Sequence, residues 1–267
     1  MLDLLPIAFD FRLPLIGFAI GAIIGLTGVG GGSLMTPILV AGLGIAPTIA
    51  VGTDLLFAAV TKSFGALAHW RLGNVARRLL LALMASSMVG AGMAFAVVQT
   101  LQPDTAALHH VIRSVLGFAL VTTAVALVVR PRLMRARTSA ALAVDDLDRD
   151  RSLLPTLGLG AVIGAMVMLS SVGAGAVGVT ALLLLHPALP MRRIVGTDVA
   201  YAVPLTAAAG AAHASLGHVD GALLVALLIG SVPGIALGAR LSRTVPEPAT
   251  RTLLVGALGF AGIKLVV

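Results

Sequence analysis

The decisive stretch runs from Leu13 to Thr53, LPLIGFAIGAIIGLTGVGGGSLMTPILVAGLGIAPTIAVGT, without one Asp, Glu, Lys, Arg or His. Crossing the ~30 Å hydrocarbon layer of a bilayer takes roughly 20 apolar helical residues. The stretch therefore has room for one crossing, a glycine-rich break, a short segment and the start of a further helix. Similar charge-free runs follow at Leu79 to Pro103, Ser114 to Val129, Ser152 to Met191, Val199 to Val219 and Gly221 to Ala239. The whole chain is 58% hydrophobic and 11% charged, with a mean hydropathy of +1.07. A soluble surface alone needs about 25% charged residues, so a soluble fold is excluded.

Lipid requires every backbone group to be paired internally, and alternating barrel strands are absent, so the apolar runs are helices. Gly and Pro place their ends at about 13–29, 33–43, 47–70, 77–100, 106–130, 153–172, 176–186, 190–213, 220–241 and 248–267. The second and seventh are too short to span alone. The expected fold is an all-α polytopic membrane bundle of about eight full transmembrane helices plus two short or broken segments. Residues Met1 to Arg12 carry Asp3 and Asp10 and lack the basic start and small-residue cleavage site of a secretory signal, so the first helix is expected to stay.

The two halves repeat. A shift of 144 residues lays Val51-Gly52-Thr53-Asp54 on Val195-Gly196-Thr197-Asp198, Ala68-His69 on Ala212-His213, and Leu72-Gly73 on Leu216-Gly217, with 16 identities in 40 ungapped positions over 51–90. The organisation is thus a first repeat at 1–130, a solvated linker at 131–152 bracketed by Arg and Asp clusters, and a second repeat at 153–267. If all ten segments cross, 14 of the 18 basic residues fall on one face together with the linker. The positive-inside rule makes that face cytoplasmic and puts both termini outside. Five crossings per half is odd, so the repeats would be inverted, as in many secondary transporters. The net charge of +7 is explained by topology and not by a nucleic-acid face.

Two glycine-rich breaks precede the short segments: Gly25-Leu-Thr-Gly28-Val-Gly30-Gly31-Gly32-Ser33, and Ser170-Ser171-Val-Gly173-Ala-Gly175-Ala-Val-Gly178. Unwound backbone at membrane depth is tolerated only inside protein or beside a water-filled cavity. A half-helix starting there aims free N–H groups and about half a positive charge at that cavity. This makes Gly28, Gly30, Gly31, Gly32, Ser33, Ser170, Ser171, Gly173, Gly175 and Thr180 candidates for binding an anion. Gly17, Gly21, Gly25, Gly160 and Gly164 have the spacing of close helix packing instead.

Thr53-Asp54 and Thr197-Asp198, with Lys62, His69 and His213, are candidates for coupling or gating, since a buried ionisable group in a membrane is functional by default. The carboxylates could equally cap the helices they open. Histidines near pH 6.5 can relay protons, and they can also be plain polar helix ends. With no cysteine, no metal-ligand spacing and no nucleophile-base arrangement, neither an enzyme nor a bound cofactor is expected.

Taken together, Gly25 to Ser33, Val51-Gly-Thr-Asp54, Thr61-Lys62, His69-Trp-Arg-Leu-Gly73, Val195-Gly-Thr-Asp198, His213 and Gly217 resemble the sulfite exporter TauE/SafE family over essentially the whole chain. The resemblance implies a secondary carrier of the bacterial cytoplasmic membrane that exports a small anion such as sulfite or an organosulfonate. Its partners would be that anion, the bilayer and a coupling proton, and not nucleic acid. A non-transporting membrane partner and an anion channel are the other readings of the same residues. Ala174 stands where the first half has Gly30, and Thr206 where it has Lys62, so the halves need not bind alike.

Overall fold

The computed structural model describes residues 12–27, 32–101, 104–138, 153–241 and 247–266, and among them the chain is helical, without strands. The order is α1 (Arg12–Thr27), α2 (Gly32–Pro37), α3 (Pro47–Arg71), α4 (Arg77–Leu101), α5 (Thr105–Thr138), α6 (Leu154–Ser170), α7 (Ala176–Leu185), α8 (Met191–Ser215), α9 (Gly221–Leu241) and α10 (Glu247–Val266). α2 runs on into a π-helical turn, Ile38–Gly42, directly after Pro37, whose missing N–H already interrupts the regular ladder. The 10 residues of α7 cover only about 15 Å, half the hydrocarbon layer.

Among the described residues, five helices are long and apolar enough to cross a bilayer: α3, α4, α5, α8 and α9. α1, α6 and α10 are apolar over shorter windows, because the breaks end α1 at Thr27 and α6 at Ser170. α5 does not stop at Val129. It continues through Arg130 and Pro131 to Thr138, so the first residues expected in the linker are helical. The rest of the linker, 139–152, lies outside the described residues.

The principal packing pairs are α1 with α9, α4 with α6, α3 with α8 and α5 with α10. Exchanging every helix for the one five places along leaves this set unchanged. Directions follow from the close approaches. Gly17, Gly21 and Gly25 meet Leu227, Ser231 and Ile235 in turn, so α1 and α9 run parallel. Gly160 meets Leu83 and Gly164 meets Ser87, so α4 and α6 do too. The start of α3 lies on the end of α8, at Gly52 and His213, and the start of α8 lies on the end of α3, at Gly196 and His69, so these two are antiparallel. Gly117 beside Gly262, and Arg113 with Lys264 at one cavity, give α5 and α10 opposite senses.

The glycines assigned to packing all sit in these seams. A Cβ at Gly17 or Gly21 would enter the backbone of α9, and one at Gly164 would enter the backbone of α4. Association in lipid depends on such close backbone approach because no hydrophobic difference drives it. Around the seams lie two apolar clusters, one including Ile20, Leu39, Phe57 and Leu116, the other Leu83, Ile163, Leu182 and Tyr201.

Candidate functional site

The Gly-Thr-Asp modules divide their work residue by residue. Gly52 packs against the His218 carbonyl, and Gly196 against the Asn74 carbonyl. Thr53 Oγ1 accepts the Asp220 N–H at 3.1 Å, and Thr197 Oγ1 accepts the Ala76 N–H at 2.9 Å while donating to the Arg193 carbonyl at 2.7 Å. Each Gly-Thr pair therefore clips the loop that follows the other module's helix. Thr53 and Thr197 are fastenings, away from the cavity described below. The aspartates are not helix caps: α3 begins at Pro47 and α8 at Met191, seven residues earlier in each case, and neither start has a side-chain cap.

Both carboxylates point inward and are essentially unexposed. Asp54 Oδ2 accepts the Thr36 hydroxyl from α2. The Ser171 hydroxyl lies by Asp54 and the Tyr201 hydroxyl by Asp198, although neither closes a well-formed hydrogen bond there. Lys62 lies between the carboxylates within electrostatic reach of both, and its Nζ donates to the Ala174 carbonyl at 3.2 Å.

That carbonyl belongs to the second break, whose backbone is left-handed at Ser171 (φ 60°), Gly173 (φ 138°) and Gly175 (φ 131°). The last two values are open to glycine and costly for other residues. Ser170 Oγ closes on its own helix through the Met166 carbonyl, and Thr180 ties α7 to the Ala126 carbonyl of α5. Neither lines the cavity. The N-terminus of α7 is already faced by a carboxyl group, since Asp198 sits at the Gly175 N–H, with Arg130 and Lys62 close by. Gly178 is the floor of this arrangement: a Cβ there would strike Asp198 Oδ1 and touch the Tyr201 hydroxyl. In the first break, Gly28, Gly30 and Gly31 lie outside the described residues, and Gly32 and Ser33 open α2.

A cavity of about 510 Å³ spreads from this point. Its polar lining is Thr61, Lys62, His69, Arg130 and Asp198, and its apolar lining includes Ile24, Phe64, Val232 and Ile235. It extends toward the ends of α3, α5 and α9 and the start of α8, the end of the bundle that carries Arg71, Arg192, Arg193 and Arg240. At the opposite end, the positions matching His69, Ile24 and Ala239 under the half-to-half shift are His213, Met168 and Phe95. They line a void of about 20 Å³. His213 is held there by a 3.0 Å hydrogen bond to the Met168 carbonyl, with the His218 ring 5.7 Å away. His69 and His213 thus stand in unlike surroundings, one at an open cavity and one at a closed contact.

Of the residues expected from sequence, Lys62, His69, Asp198 and Gly175 meet at the cavity, while Asp54 and Ser171 lie just behind it. Sequence reasoning missed Arg130, Thr36 and Tyr201. Arg130 was legible as the first charge after the run from Ser114 to Val129, and Tyr201 as the one tyrosine of the chain, a helical turn beyond Asp198. Thr36 carries no sequence signal of its own.

The model of the family Sulfite exporter TauE/SafE matches residues 13–265. Among curated relatives, the chain is 37% identical over 253 residues to the Probable membrane transporter protein YjnA of Bacillus subtilis (strain 168), covering 94% of this chain and 98% of that one. It is 25% identical over 257 residues, with the same coverage, to the Probable membrane transporter protein YdhB of that organism. No solved structure matches. With glycine breaks, paired Gly-Thr-Asp modules and a match that spans nearly its full length, the chain belongs to the TauE/SafE sulfite exporter family, a family of membrane transporters.

Proposed function

We propose that this protein is a secondary transporter of the bacterial cytoplasmic membrane that exports a small anion, sulfite or an organosulfonate, by alternating access between two inverted repeats. The observation that carries this reading is the cavity in which Lys62 and Arg130 face Asp198 at the start of α7. With Asp54 and Asp198 ionised, two carboxylates offset the two cations. A further anion brought into so dry a place adds an unmatched charge, and burying one costs several kcal/mol. A proton taken up by a carboxylate restores the balance and frees Lys62, Arg130 and the α7 N-terminus for the incoming anion. Anion and proton then travel together. His69, at the wide end of the cavity, is placed to deliver that proton.

The antiparallel α3 and α8 and the exchangeable helix pairs support the inverted arrangement. Ten alternating crossings reproduce all four observed directions, whereas re-entrant short segments would make α3 and α8 parallel. On that topology the linker is cytoplasmic, the large cavity faces the cytoplasm, and the closed contact at His213 is its outward counterpart. Inward- and outward-facing states would then differ by exchanging the two environments of the repeat.

The test is flux in proteoliposomes loaded with sulfite. Saturable efflux that accelerates with counter-substrate on the far side, and that is altered by an imposed pH gradient, is expected. Flux no greater than in empty liposomes would leave a non-transporting membrane partner, and unsaturable flux without counter-stimulation would leave a channel.

A further inference from the structure

We infer that the transported anion is amphiphilic, its charged group held at Lys62 and Arg130 and an aliphatic body of several carbons lying against Ile24, Val232 and Ile235. The inference rests on the transport reading above and narrows its substrate class.

Size gives the first argument. An inorganic oxyanion of four or five heavy atoms displaces about the volume of two or three waters, roughly 60–90 Å³ at about 30 Å³ per water. The cavity holds about 510 Å³, inside the range of sites that enclose organic ligands. A bare oxyanion at Lys62 would leave most of it without a partner.

The chemistry of the wall gives the second. Only five of the lining side chains are polar, and all belong to α3, α5 and α8, whereas α1 and α9 contribute Ile24, Val232, Ile235, Ala236 and Ala239. The cavity thus has one wall, on α3, α5, α7 and α8, where the cations stand among Phe64, Val179 and Val195, and another, on α1 and α9, of aliphatic carbon alone. A hydrated inorganic anion gains nothing from the second wall and loses solvation against it. A sulfonate or carboxylate with a chain satisfies both.

The opening gives the third. Phe64 and Val232 line the cavity and are 68% and 53% exposed, so its apolar side is open and not closed over. A methylene chain can extend there. A compact polar ion has no use for such a gap.

The experiment measures uptake of sulfite and of methane-, ethane-, propane- and butanesulfonate by proteoliposomes, with empty liposomes subtracted. Each methylene buried is worth about 0.8 kcal/mol, which converts at 1.4 kcal/mol per decade to a half-saturating concentration falling about fourfold per carbon. Ile235→Thr should lower that gain per carbon while the purified protein still melts cooperatively, and Val232→Thr serves if Ile235→Thr does not assemble. A series that is flat, or that favours sulfite, overturns the inference while leaving transport intact. An undiminished gain per carbon in the threonine variant overturns it as well, because the chain would then lie elsewhere. If no anion moves, sulfite included, the transport reading itself fails and this inference falls with it.

Discussion

Gly178 presents a bare Cα to two buried oxygens, Asp198 Oδ1 and the Tyr201 hydroxyl, in a helix where alanine would otherwise be favoured. Gly178→Ala is therefore expected to push the carboxylate from the α7 N-terminus and to lower exchange more than tenfold, with a melting temperature close to that of the parent. Unchanged exchange in proteoliposomes would place the working anion elsewhere. The aspartates allow a separate test. Asn keeps an acceptor oxygen and cannot titrate, so Asp54→Asn and Asp198→Asn should insert and fold, and at least one should lose the pH dependence of net flux while keeping exchange. Asp198 is the stronger candidate because it lines the cavity and Asp54 does not. Full pH dependence in both single variants and in the double variant would move the coupling to His69. At this scale the sequence was informative wherever a residue was out of place in lipid, as Asp54, Lys62 and Asp198 are. It was silent where function depends on a three-dimensional neighbour, as for Thr36, whose hydroxyl matters only because α2 folds back on α3.

Elements are joined by the two crossed clips. Replacing Thr53 or Thr197 by Val removes one acceptor for a loop N–H, and each change should cost about 1 kcal/mol of stability, seen as a lower melting temperature with transport retained per folded molecule. Near the first clip sits His218, whose imidazole is held below its ordinary 6.5 by burial and then by the neighbouring His109. The folded state thus disfavours charging it. Above about pH 6.5 both folded and unfolded forms are neutral and nothing is lost; as pH falls below that value the unfolded chain binds the proton more readily and stability declines. His218→Gln should remove part of the acid-side decline in melting temperature, and an identical pH profile would show the ring to be indifferent. Element boundaries were legible wherever Gly or Pro cut an apolar run. They are not legible at Arg130, where a charge that suggests the end of a helix is instead carried within one that runs on to Thr138.

For the whole molecule, the shared Asp and His positions suggest a repeat, and only a charge count suggests the direction of a second copy. The pairing of α1 with α9 and of α4 with α6 was not legible, since identical glycine spacings fit several partners and only the assembled bundle selects among them. Because the chain has no native cysteine, single cysteines can report on access directly. Val195→Cys, in the large cavity, should react with a membrane-impermeant thiol reagent from the linker side, and Phe95→Cys, at the closed contact, should resist it from either side until substrate drives turnover. Reversed reactivity would mean that the resting protein faces the other way.

The partner of α1 is α9, and more than two hundred residues separate Gly17 from Leu227 in the chain. Translation at about 5–20 residues per second puts on the order of ten to forty seconds between the insertion of one glycine face and the arrival of the surface that covers it. During that interval the first helix waits in lipid with its seam open, exposed to quality-control proteases and to the same seam on other nascent chains. The delay belongs to the order of synthesis and not to a covalent requirement, so two separately produced halves, cut between residues 139 and 152, should find each other in the membrane and copurify, whereas either half alone should be degraded.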